Sequence, residues 1–117
     1  MRFLAIIHIC LIILSCPASA KDLHHCNKLE SLDIKKLEFC LQQRDIQLNK
    51  VYSKLYSFHK ESPKKLELLK EMQSAWIQMR YAQCGFILYS KEYDAARASL
   101  ICEISLIQKR LQELESI

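Results

Sequence analysis

Glycine occurs once in these 117 residues, at Gly85, and proline twice, at Pro17 and Pro63. A chain with so little turn punctuation is not built from many short strands, because strands need frequent tight turns. Histidine is scarce as well: beyond residue 20 only His24, His25 and His59 remain. His24-His25-Cys26 would supply ligands at one location only, whereas tetrahedral zinc sites draw paired ligands from two. No Ser/His/Asp arrangement, phosphate-cradling loop or paired-carboxylate cleft is apparent, so neither an enzyme nor a cofactor or metal is expected. Charge of one sign is never concentrated. Lys35-Lys36, Lys64-Lys65 and Lys109-Arg110 lie scattered among acids, as on solvated helix faces, without the dense basic patch that nucleic acid requires.

Long apolar runs are missing too. The one extended run, Phe3 to Leu14, is shorter than the roughly 20 residues a bilayer span needs. With Arg2 before it and Ala18-Ser19-Ala20 after it, the stretch reads as a secretory signal peptide covering residues 1–20. Ile13-Leu14-Ser15-Cys16 resembles a lipobox, so acylation of Cys16 competes with cleavage after Ala20. The product is then either soluble export or a membrane-anchored lipoprotein. Residues 21–117 form a single domain. Removing the leader takes away Arg2 and no acid, lowering the net charge from +4 to +3.

What is abundant is helical periodicity. From Leu37 the apolar positions Cys40, Leu41, Leu48, Val51, Tyr52, Leu55 and Phe58 recur at spacings of three and four, marking a long amphipathic helix that ends near residues 59–61. Ser62-Pro63 is an N-cap and first-turn pair. It opens a second long helix with the stripe Leu66, Leu69, Gln73, Trp76, Ile77, Arg80, Cys84, Ile87. Asp94 can cap a third, with Ala95, Ala98, Cys102, Leu106, Arg110 and Leu114 inward. Asn27 with Glu30 fits a capping box for a short N-terminal helix. The fold class is all-α: a small bundle of two long antiparallel helices, a third C-terminal helix and a short N-terminal one.

Four cysteines remain after residue 20: Cys26, Cys40, Cys84 and Cys102. In an exported short domain an even number reads as disulfides, and four allow three pairings. Along an unbroken helix, Cys26 and Cys40 would stand about 21 Å apart and Cys84 and Cys102 about 27 Å, against the roughly 7 Å between Cα atoms that a disulfide tolerates. Both pairs therefore require a chain reversal, and the cap signals place one in each interval. This favours Cys26–Cys40 with Cys84–Cys102 over the other two pairings.

Gln73, Trp76, Arg80 and Cys84 share one stripe of the second helix. A guanidinium on the apolar side needs a carboxylate, and Asp45 is the candidate, with Asn49 and Tyr52 on the same face of the first helix. The expectation is a buried polar lock in which Asp45 pairs with Arg80, Asn49 and Gln73 extend the network, and Trp76 covers it. A recognition surface is the competing role for the same residues.

Cys26, Cys40, the string Asp45-x-x-Leu48-Asn49-x-x-Tyr52, the string Gln73-x-x-Trp76-Ile77-x-x-Arg80-x-x-x-Cys84, and Cys102 with Arg110 and Leu114 together resemble the LprI-like lysozyme-inhibitor family. The resemblance covers roughly residues 26–114. It implies a helical, disulfide-bonded bacterial envelope protein, often a lipoprotein, that inhibits lysozyme. The sequence departs from the family pattern at three places: Tyr81 stands where an aspartate is usual, Lys91-Glu92-Tyr93-Asp94 replaces a glycine-rich turn, and Ile107 replaces a threonine.

Tyr81, Phe86, Tyr89 and Tyr93 cluster around the Cys84–Cys102 connection, beside Glu92 and Asp94. Tyrosine suits recognition surfaces, although such residues can equally cap a helical core. The resulting expectation is a periplasmic or secreted non-catalytic protein that binds a protein partner, namely lysozyme or another cell-wall hydrolase. An envelope or stress protein binding a bacterial partner or anionic wall polymer is the alternative.

Overall fold

A computed structural model of the chain describes residues 24–117, and the expected signal peptide with Cys16 lies outside them. A single 3-10 turn at Leu29–Ser31 precedes three helices: α1 (Ile34–Phe58), α2 (Pro63–Leu88) and α3 (Ala95–Glu115). No strand is found among the described residues.

The helix starts follow local chemistry. Asp33 caps α1 by accepting the Lys36 backbone N–H at 2.9 Å. That hydrogen bond, reinforced by the Lys36 charge, holds its carboxyl below the usual carboxylate range. Pro63 occupies the first turn of α2, where its missing N–H has no intrahelical acceptor to lose. Ser62 and Asp94 act differently from the expectation: neither side chain caps a backbone N–H of its helix, and it is their backbone carbonyls that enter the hydrogen-bond ladder, at Leu66 and Ala98. The expected Asn27–Glu30 capping box is absent as well. The segment forms one 3-10 turn starting after Lys28, with no side-chain cap, because Cys26 is already tied down and Leu29 and Leu32 turn inward.

The helices run up, down, up. Asp45 lies against Arg80 and Tyr56 against Lys70, so α1 and α2 are antiparallel. Ser99 bonds the carbonyl of Cys84, and Arg110 bonds Gln73, so α3 returns antiparallel to α2. The tightest packing is of α3 against α1 and of α3 against α2. The long pair is therefore wedged by the third helix rather than merely closed by it. For this reason α3 buries a wider arc than the expected stripe, with Ser99, Ile104, Ile107 and Leu114 innermost.

Two apolar clusters result. One joins Cys26, Leu29, Leu32, Leu37, Cys40 and Ile104; the other joins Leu48, Trp76, Ile107 and Leu114. Leu41 packs against both. The disulfides are Cys26–Cys40 and Cys84–Cys102, each with Cα atoms 5.6 Å apart. Arg97 adds a polar tie by donating to the backbone carbonyls of Leu32 and Glu30, fastening the N-terminal segment to the start of α3.

Candidate functional site

A polar layer crosses the bundle where α2 meets its neighbours. The Arg80 guanidinium donates to Asp45 Oδ1 at 2.9 Å, and its Nε lies 3.8 Å from Glu103 Oε2. One cation is thus shared by α1 and α3 carboxylates. Arg110 Nε donates to Gln73 Oε1 at 3.2 Å, and its Nη1 reaches Glu113 at 3.1 Å. Its Nη2 is buried without a hydrogen-bond partner among the described residues. Both guanidiniums stand near the Trp76 ring, with centroid distances of 5.3 and 5.8 Å, within cation–π range.

Three features differ from the sequence expectation. The Asp45 side chain is 40% exposed, against 20% for Arg80, so the pair sits at the edge of the core. Asn49 is exposed and bonds no other described side chain; Gln73 takes Arg110 as partner instead. Tyr52 and Asn49 line an open groove with Lys70, Gln73 and Ile77. Sequence reasoning marks Glu103 only as part of an acidic patch with Glu92 and Asp94, not as a partner of Arg80, and does not single out Arg97 at all. Glu103 follows a disulfide cysteine by one residue, which offers a weak signal, while Arg97 binds backbone carbonyls and leaves none.

The geometry sets the expected effect of Arg80→Ala. Water already reaches Asp45, so loss of the cation does not strand a fully buried carboxylate. It removes a solvent-screened pair and the contact with Trp76, and it leaves Asp45 and Glu103 without their shared cation. The expected loss is about 1–2 kcal/mol, lowering the melting temperature by roughly 4–16 °C for a domain of this size. A melting curve superimposable on the parent's would contradict it.

The four aromatics near the second disulfide all stand in solvent: Tyr81 is 83% exposed, Phe86 84%, Tyr89 88% and Tyr93 107%. Tyr81 and Tyr89 line one concavity of about 320 Å³ between α2 and α3, with Ile77, Leu88, Gly85 and Glu103. Gly85 lies within α2 at negative φ. A Cβ built there would meet nothing within 4 Å. Neither backbone strain nor close packing therefore calls for glycine, and its lack of a side chain leaves the concavity open. Phe86 is not among these lining residues; five residues on from Tyr81, it is turned about 140° round the helix. Tyr93, Glu92 and Asp94 project from the following loop, where Asp94 pairs with Arg97 at 3.4 Å. His24 and His25 are exposed, while Cys26 is consumed by its disulfide.

A family model described as lysozyme inhibitor LprI matches residues 36–114. The chain is also 30% identical over 88 residues to the uncharacterized protein YecT of Escherichia coli strain K12, covering 64% of this chain and 54% of that protein. It thus spans about half the length of this curated relative. No solved structure matches.

Proposed function

This chain belongs to the lysozyme inhibitor LprI family, and from that premise we propose that it is an exported, non-catalytic domain that inhibits a lysozyme-type cell-wall hydrolase by binding it. The observation that carries the reading is the concavity over Gly85, rimmed by exposed Tyr81 and Tyr89 beside the Cys84–Cys102 disulfide. Aromatic rims on a cross-linked frame lose little entropy on binding. Glu103, within the same concavity, already pairs with Arg80 there, so it can offer a cationic side chain of a basic partner only the remaining capacity of its carboxylate. The net charge of +3 on residues 21–117 gives no long-range attraction to such a partner, so the affinity must be local.

The test is lysis of a bacterial suspension by several lysozyme types, with increasing amounts of the oxidised chain and a reduced, alkylated control. Saturable inhibition by the oxidised form alone is expected, and Tyr81→Ala/Tyr89→Ala should weaken it with little change in melting temperature. Gly85→Ala separates binding from folding. A helix-interior glycine costs about 0.5–1 kcal/mol relative to alanine, so this variant should be more stable yet a weaker inhibitor. Undiminished inhibition by Gly85→Ala would remove the concavity from the reading, and no inhibition of any lysozyme would remove the function. The positive net charge supports a second reading, retention on an anionic wall polymer, which would appear as salt-sensitive binding to isolated cell wall without inhibition.

A further inference from the structure

Helix α2 carries a second apolar stripe that the bundle does not use. Leu68, Met72, Ala75, Met79, Ala82 and Phe86 succeed one another at intervals of four and three residues, the heptad spacing of a coiled-coil seam. All six are exposed: Leu68 is 45%, Met72 43%, Met79 41% and Phe86 84% accessible. The stripe lies about 120° round the helix from the buried positions Leu69, Gln73, Trp76 and Cys84, on the opposite flank from Tyr81. Its positions are symmetric about residue 77, and across that centre a large side chain is matched with a small one at 72/82 and at 75/79. If two copies of α2 are laid antiparallel with residue 77 at the dyad, Leu68 faces Phe86, Met72 faces Ala82 and Ala75 faces Met79. Each methionine then meets an alanine, and each contact also pairs alternate heptad positions, as antiparallel coiled coils require.

Charge agrees with this register. The charged half of α2, with Lys64, Lys65, Glu67, Lys70 and Glu71, would lie along the other copy's uncharged stretch from Gln83 to Leu88, so no like charges oppose one another. Just beyond the end of the other copy's α2, the basic turn at Lys64 and Lys65 would meet Lys91 together with the acids Glu92 and Asp94, so acids outnumber the base there. Such an interface is isologous and closes at two copies.

We infer that the chain forms a two-fold symmetric dimer through this face of α2, in the register that sets Ala75 of each copy against Met79 of the other. The inference does not rest on the lysozyme reading. The experiment is sedimentation equilibrium of the oxidised exported chain from low micromolar to about 1 mM, the concentration range over which weak specific association is resolved. A mass rising to that of two copies is expected. Met79→Glu, at an exposed position, should raise the dissociation constant at least about tenfold by placing unpaired carboxylates in the seam, with circular dichroism verifying the fold. Adding Ala75→Lys should restore the dimer, because each lysine then faces the other copy's glutamate. A monomer throughout the range, a dimer indifferent to Met79→Glu, or a loss that Ala75→Lys does not rescue would each overturn the inference.

Discussion

Replacing Cys84 and Cys102 together by alanine is expected to lower the stability of the oxidised domain by about 3 kcal/mol, the loop entropy released when an 18-residue separation is no longer cross-linked. Alanine rather than serine keeps hydroxyls out of a site where Cys84 is 1% exposed. The effect is large because this bridge joins α2 to the helix that wedges the bundle. Few other bonds hold that junction: Ser99 Oγ donates to the Cys84 carbonyl at 2.9 Å, and the Arg80–Glu103 pair is longer, at 3.8 Å. For a domain of this size the loss corresponds to a fall in melting temperature of roughly 12–24 °C. Urea denaturation of the variant, with Cys26–Cys40 left intact, measures it. An unchanged midpoint would mean that the apolar clusters alone define the α2–α3 contact.

Trp76→Ala is expected to cost about 3–5 kcal/mol, in the range for deleting a large buried aromatic. The indole is 8% exposed and shares a cluster with Leu48 of α1 and Ile107 and Leu114 of α3. It is therefore packed among residues of both other helices at once. Arg80 and Arg110 would also lose the ring that both guanidiniums approach. Against a typical domain stability of about 5–15 kcal/mol, the variant stands near the threshold of folding. Trp76→Phe, which keeps an aromatic ring there, should lose less than half as much. Chemical denaturation of both variants, read by circular dichroism, decides the order, and equal losses would show that packing around the ring matters less than the indole itself.

The helix boundaries were legible because they depend on neighbours in sequence. Pro63 cannot sit deep inside a helix, and a disulfide cannot span 14 helical residues, so the start of α2 and the break before α1 follow from local stereochemistry. The pairing of Arg80 with Asp45 was legible for a related reason, since a guanidinium on the apolar side needs an acid and antiparallel helices offer few. The place of α3 was not. Periodicity shows that each helix has an apolar side, but not which helix stands between the other two. Asn49 was misplaced on that account: it shares a face with Asp45, yet α3 supplies Arg110 as the partner of Gln73. Arg97 was illegible because it binds main-chain carbonyls, which every residue possesses. Exposure of the four aromatics also needed the three-dimensional arrangement, as tyrosine spacing is alike on a rim and in a core.

Both disulfides and the Arg97 tie lie toward the same end of the bundle, where α1 begins, α2 ends and α3 begins. At the far end the residue 59–62 turn and the packing of Leu114 close the structure, with Phe58 80% and Ile117 67% exposed. The domain is therefore riveted by both disulfides at one pole, whereas the other holds by its turn, apolar packing and the Arg110–Gln73 hydrogen bond. Thermal fluctuation is expected to spread the unriveted pole first, as the arms of a tuning fork move while its stem stays still, and the tyrosine-rimmed concavity sits at the stem.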